Sequence, residues 1–165
     1  MLTTSESPET LALELAALGY PGFAHLRAEL ATRTPAELVF TAIRQPELES
    51  RIVEALPWVL LAYPELDWPW LREQARHSGL QNRLGFLTNV ARRLAIQHGE
   101  PGKAERLARE EAALEPSRLL REDTLCHASL TNAERRYLLE HRPSEAQHWR
   151  LLTDIAPQYL DHAMP

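Results

Sequence analysis

The chain has 165 residues, of which 44% are hydrophobic, and a formal net charge of -5. This much apolar material can form a buried core, and the acidic balance argues against non-specific nucleic-acid binding. The single cysteine, Cys126, excludes an internal disulfide, and no apolar run approaches the roughly 18 to 20 residues of a membrane span. The N-terminal segment lacks the residue order of a secretory signal. We therefore predict a cytoplasmic protein without membrane contact.

Helix start signals are clear in the first part of the chain. Ser7 followed by Pro8 supplies an N-cap and a proline in the first turn, and Thr34-Pro35-Ala36-Glu37 is a capping box. Pro46 opens a third helix, and Pro57 is predicted to break or kink that helix before the next apolar run.

The next helix begins at Asp67 and ends at Gly79, and the longest and best-patterned helix follows over 81–98. Strand signals are almost absent and the connections are short, which makes neighbouring helices antiparallel. The sequence therefore predicts an all-α multi-helix bundle with short antiparallel connections.

The motif Pro-Glu-Leu followed by an acidic residue recurs at 46–49 and 64–67. Such restarts are compatible with HEAT-like stacking, although two copies do not define a repeat array.

The C-terminal third begins at the linker Gly99-Glu100-Pro101-Gly102 and continues with a charged helix over 103–114. A further capping box, Thr131-Asn132-Ala133-Glu134, starts another helix. We therefore predict a helical core over 1–99 with a helical C-terminal extension over 100–165 packed on it. One continuous domain is the alternative.

The helix over 81–98 has apolar residues on two sides, because Phe86 and Ile96 lie opposite its leucine-rich stripe. Such a helix is covered on both sides, either by the C-terminal third or by a partner protein. Residues 71–109 carry a local balance of +5 between acidic ends. The ends neutralise this charge if they pack on it, and otherwise it steers an acidic partner towards this face. The candidate partner-binding residues are Asn82, Arg83, Phe86, Asn89 and Arg93.

A second interpretation of the same region is a helix-turn-helix. Ala75 and Gly79 are four residues apart, as the tight turn requires, and asparagine and arginine side chains on the second helix could contact bases. The inward positions of that second helix fall on Gly85 and Thr88, which bury little. A DNA-binding regulator that uses the helix pair over 71–93 is therefore the alternative function, and nucleic acid is not the favoured partner.

No set of residues predicts a reaction. The potential zinc ligands Cys126, His127, His141 and His148 lack the spacing of structural zinc sites, and adjacent residues point apart. The glycines form no phosphate-binding loop, and no two carboxylates can be singled out as an acid–base pair. We therefore predict a chain that is not an enzyme, with no catalytic residue, no metal and no cofactor.

Three tryptophans, Trp58, Trp68 and Trp70, lie close together at helical spacing to leucines, which predicts that they pack in the core.

Five segments resemble those of a poorly characterised group of bacterial helical proteins: LPWVL at 56–60, LDW-x-WL at 66–71, QNRLGF at 81–86, EDTLC at 122–126 and HW-x-LLTD at 148–154. Some of that group are described as regulators or antitoxin-like partners in toxin–antitoxin operons. The resemblance implies a protein-interaction module of a bacterial operon, with a toxin or a second copy as its partner.

Overall fold

The structure, a computed structural model, describes residues 6–27, 31–160, 162 and 164–165. Within these residues it contains eight α-helices and one pair of two-residue strands, so the prediction of an all-α fold is confirmed. The helices are α1 (Pro8–Ala17), α2 (Pro35–Ile43), α3 (Ser50–Ala62), α4 (Trp68–His77), α5 (Gln81–Gln97), α6 (Pro101–Leu114), α7 (Asn132–His141) and α8 (Ser144–His148). The strands are β1 (Asp123–Thr124) and β2 (Leu151–Leu152). No described helix is long and apolar enough to cross a bilayer.

Most helix starts lie where the capping residues predict them, but the start predicted at Pro46 is wrong. Helix α3 begins at Ser50, because Glu47 lies in extended backbone that forms a bridge with His127. The capping boxes at Thr34 and Thr131 are both formed, with the threonine side chain and the third-position glutamate exchanging hydrogen bonds with the backbone. Gly79 has φ +69° after α4, the left-handed geometry that favours glycine at a helix end.

Of the two outcomes predicted for Pro57, a break or a kink, the break is wrong, because α3 continues through this residue. An interior proline costs about 3 kcal/mol relative to alanine. However, nine residues of α3 are buried, and burial of a single large apolar side chain contributes about 1.5 to 3 kcal/mol. Tertiary burial therefore outweighs the lost backbone hydrogen bond.

Helices α5 and α6 form an antiparallel pair. The Nδ2 of Asn89 donates to Glu111 (2.9 Å), and the Nε2 of Gln81 donates to the carbonyl of Ser117 (2.9 Å). The residue that comes earlier in α5 therefore contacts the residue that comes later in the following segment, as in an antiparallel pair. The intervening turn contains Gly99 at φ +70°. Residues on both sides of this turn belong to one buried core.

The core surrounds α5, whose residues 81–91 are all buried. Trp58 and Trp68 are also buried, which confirms their predicted packing role, whereas Trp70 is half-buried and meets Phe40 edge-on at 5.6 Å.

The strand pair joins two separate parts of the C-terminal third. β1 and β2 are parallel, with Asp123 opposite Leu151 and the amide of Asp123 donating to the carbonyl of Arg150 (2.9 Å). This pairing helps to hold Trp149 against α5, where the tryptophan is fully buried. Its ring occupies the space above Gly85, since a Cβ atom on that glycine would lie 2.4 Å from the ring.

Candidate functional site

The face of α5 that we considered for partner binding is covered by the rest of the chain. Asn82, Arg83, Phe86 and Asn89 are buried, and Phe86 is only 1% exposed. Arg93 is half-buried and lies 3.5 Å from Glu145. Residues of the C-terminal third contact this face, whereas Ile96 on the same side of α5 stays 58% exposed.

Each polar side chain on this face has a partner within the chain. Asn82 donates to the carbonyl of Leu119 and accepts from its amide, at 2.9 and 2.8 Å. Arg83 makes a two-pronged contact with Asp123 at 2.8 and 3.1 Å and donates to the carbonyl of Ile43 at 2.7 Å. Burial opposes the charge of Arg83, whereas the hydrogen bonds to Asp123 favour it, and the net effect raises the pKa of Arg83.

These contacts leave Asn82, Arg83, Phe86 and Asn89 buried within the chain, which is the first of the two alternatives that the sequence left open. They also bear on the DNA-binding alternative, because a recognition helix must expose its base-reading side chains to enter the major groove. Asn82, Arg83 and Asn89 are the side chains that would read bases, and they are internal to the fold. The contacts of α5 in this chain are those of a core helix.

The basic middle of the chain is partly neutralised by the acidic residues that follow it. Arg72 pairs with Glu110, and Arg92 pairs with Glu111 at 2.7 Å. Arg83 and Arg93 pair with later carboxylates in the same way, so half of the eight basic side chains in 71–109 are paired with acidic residues that follow them, whereas Arg76 and Arg106 are exposed.

The potential metal ligands are not brought together. Cys126 is fully buried, whereas His127, His141 and His148 are exposed, and the described residues contain no group of three or more metal-ligating side chains. Burial raises the pKa of the Cys126 thiol to about 11, and its Sγ lies 3.7 Å from Arg83. A buried, protonated thiol is a poor nucleophile and packs here as part of the core.

A different feature is open to solvent: a groove of about 660 Å³ between α3 and α7. Its floor is apolar and nearly buried, and its lips are the half-buried Leu130 and Ile155 and the exposed Tyr137. We call this feature the α3–α7 groove, and it is lined by Leu48, Ser50, Val53, Glu54, Leu125, His127, Leu130, Ala133, Glu134, Tyr137, Leu138, Leu152, Thr153, Asp154 and Ile155.

The walls of the α3–α7 groove are held by hydrogen bonds outside it. The amide of Leu48 donates to the carbonyl of Cys126 at 2.9 Å, which fixes the start of α3 to the loop after β1. Ser129 donates from its amide and hydroxyl to Glu47 and thereby lowers the pKa of that carboxyl. At the far end of α7, Arg142 donates to the carbonyl of Leu151.

Helix α7 contributes little to the core. Leu138 is its only buried residue, while Tyr137 is 58% exposed and Leu139 is 50% exposed. Ala133, Glu134, Tyr137 and Leu138 face the groove, and residues three or four apart along a helix share a face. The helix is therefore a wall whose apolar surface is only partly covered by this chain.

The acidic side chains that line the groove outnumber its one titratable base, His127, which lies 3.6 Å from Glu47. Among the described residues that line it, Glu54, Glu134 and Asp154 are carboxylates, and none is a lysine or an arginine. This arrangement contrasts with α5 and α6, where arginines and carboxylates are paired.

Searches against protein-family models, curated proteins and solved structures found no match to this chain. Its function is therefore inferred from the groove and from its charges.

Proposed function

We propose that this chain is a non-enzymatic protein-interaction module, and that the α3–α7 groove is the site where a segment of its partner docks. The observation that carries this proposal is an open groove with an apolar floor beside a helix with one buried residue. Grooves with helical walls commonly take a third, amphipathic helix, whose apolar face completes the packing. We therefore propose that the partner segment is an amphipathic helix.

The setting of this interaction is part of the proposal. A cytoplasmic module of a bacterial operon, either a regulator or an antitoxin-like component, remains a prediction that rests on the resemblance of five short segments. In that setting the docking helix belongs to a toxin. A second copy of the chain is the other partner named by the sequence, and it would be detected as a dimer.

The matched residues Tyr137 and Leu139 test the docking site. Both are about half exposed on α7, but only Tyr137 lines the groove, so neither change should unfold the protein. Amphipathic helical peptides selected for binding from a displayed library are then measured against both alanine variants. We expect Tyr137→Ala to weaken binding at least about tenfold, because exposed aromatic side chains often dominate interfaces. Leu139→Ala should bind like the unaltered protein.

Two results would contradict the docking proposal. The first is a selected peptide that binds equally to the unaltered protein and to Tyr137→Ala. The second is a library from which no specific binder is recovered. Unfolding curves of both variants are the control. The free energy of unfolding of each variant should lie within about 0.5 kcal/mol of that of the unaltered protein, as is usual for surface substitutions.

A further inference from the structure

We infer that the segment bound by the α3–α7 groove is positively charged, with lysine or arginine flanking its apolar face. This inference rests on the proposed docking function and specifies the chemistry of the partner. It is drawn from the position of three carboxylates around an apolar floor, Glu54, Glu134 and Asp154.

Two of these carboxylates have no cationic partner in the described parts of the chain. Asp154 is exposed and takes part in no ion pair there. Glu134 takes part in no ion pair there either, and its side chain accepts the amide of Thr131 at 3.0 Å in the capping box. By contrast, a carboxylate that does not line the groove, Glu122, pairs with Arg142 at 2.6 Å.

The arginines on α3 and α7 do not line the groove, and two of them, Arg51 and Arg135, donate to backbone carbonyls. Arg135 donates to the carbonyls of Leu130 and Ala128, at 3.3 and 3.2 Å. Arg51 and Arg136 are exposed on the two helices and do not line the groove. An approaching segment therefore meets negative charge around an apolar surface, which attracts cationic residues and repels acidic ones.

Isosteric variants can remove this charge without changing the fold. Glu134→Gln preserves the capping box, because glutamine at the third position makes the same hydrogen bond. Asp154→Asn changes an exposed side chain. The matched control is Glu65→Gln/Glu140→Gln, which changes net charge equally at two exposed carboxylates outside the groove.

Three amphipathic helical peptides with one apolar face are the probes, and their polar faces carry lysine, glutamine or glutamate. We expect the lysine peptide to bind about tenfold more tightly than the glutamine peptide, since exposed ion pairs contribute modestly and additively over several charges. The glutamate peptide should bind most weakly. The variant Glu134→Gln/Asp154→Asn should lose most of the lysine preference, and added salt should weaken lysine-peptide binding to the unaltered protein.

The outcomes separate this inference from the proposed function. Equal binding of the lysine and glutamine peptides would overturn the cationic partner and leave the docking site standing. An equal loss in Glu65→Gln/Glu140→Gln would overturn it too, since the effect would then come from net charge alone. Failure of all three peptides would count against the docking function itself. A dimer of the unaltered protein that dissociates in Tyr137→Ala would overturn the inference in favour of a second copy as the occupant of the groove. Displacement of the lysine peptide by a small amphipathic amine at low concentration would overturn it in favour of a small ligand.

Discussion

Replacing Trp149 with alanine is expected to lower the free energy of unfolding by about 3 to 5 kcal/mol, the range for truncation of a large buried aromatic side chain. Trp149 is 0% exposed and lies between the strand pair and α5, so its removal opens a cavity that the neighbouring backbone cannot fill. Urea unfolding measures the loss. A decrease below about 1 kcal/mol would show that this ring is not a central packing element.

The contact between Gly85 and Trp149 provides a sharper test of the same packing. A Cβ atom at residue 85 would lie 2.4 Å from the Trp149 ring, so Gly85→Ala should destabilise the protein by about 1 to 3 kcal/mol through overpacking. In a Trp149→Leu background the ring is absent, and Gly85→Ala should then become neutral or stabilising, because alanine favours helix over glycine by up to about 1 kcal/mol. Gly102→Ala is the control, since nothing lies within 4 Å of a Cβ atom there.

Arg83→Ala is the second substitution with a large expected effect, a loss of about 3 kcal/mol in the free energy of unfolding. The guanidinium joins three parts of the chain, because it comes from α5 and contacts Asp123 in β1 and the carbonyls of Ile43 and Gln45 at the end of α2. Truncation removes the cation paired with Asp123 and a donor to two backbone carbonyls, which costs more than the loss of a surface ion pair.

The control for this substitution is Arg109→Ala. Arg109 pairs with Glu105 one helical turn earlier, but its side chain is 74% exposed, so its loss should cost no more than about 0.5 kcal/mol. Arg83→Lys should recover only part of the stability, since an ammonium group cannot make the two-pronged contact with Asp123. Equal unfolding midpoints for Arg83→Ala and Arg109→Ala would contradict the role assigned to Arg83.

The local features of the fold could be predicted because their causes are local. The capping boxes at Thr34 and Thr131 involve four consecutive residues each, and the helix end at Gly79 involves one. The buried state of Trp58 follows from helical periodicity in the same way. In contrast, the continuation of α3 through Pro57 depends on tertiary burial, which the local sequence does not reveal.

Gly85 shows how a correct observation led to an incomplete interpretation. Its small size on the inner side of α5 argued against a helix-turn-helix, but it also signals close approach of another side chain. The approaching group, Trp149, is 64 residues later in the chain, and no spacing rule connects the two. The same limitation applies to Arg83, whose partner Asp123 is 40 residues away.

The α3–α7 groove was not predicted because its lining comes from four separate segments. One signal was present within α7, where Ala133, Glu134, Tyr137 and Leu138 form one face and Leu139 lies outside it. That pattern indicates an amphipathic helix but does not identify its neighbour. Only the fold shows that α3 and the strand pair lie opposite this face and leave a groove between them.

Amide hydrogen exchange tests the central claim, that the α3–α7 groove is the docking site, most directly. In the free protein α7 should exchange rapidly, because its one buried residue gives it little stability against local opening. With the lysine peptide bound, we expect slower exchange in 48–54, 125–138 and 152–155 and unchanged exchange in α1 and α6. Protection confined to other helices, with exchange in α7 unaltered, would contradict the claim.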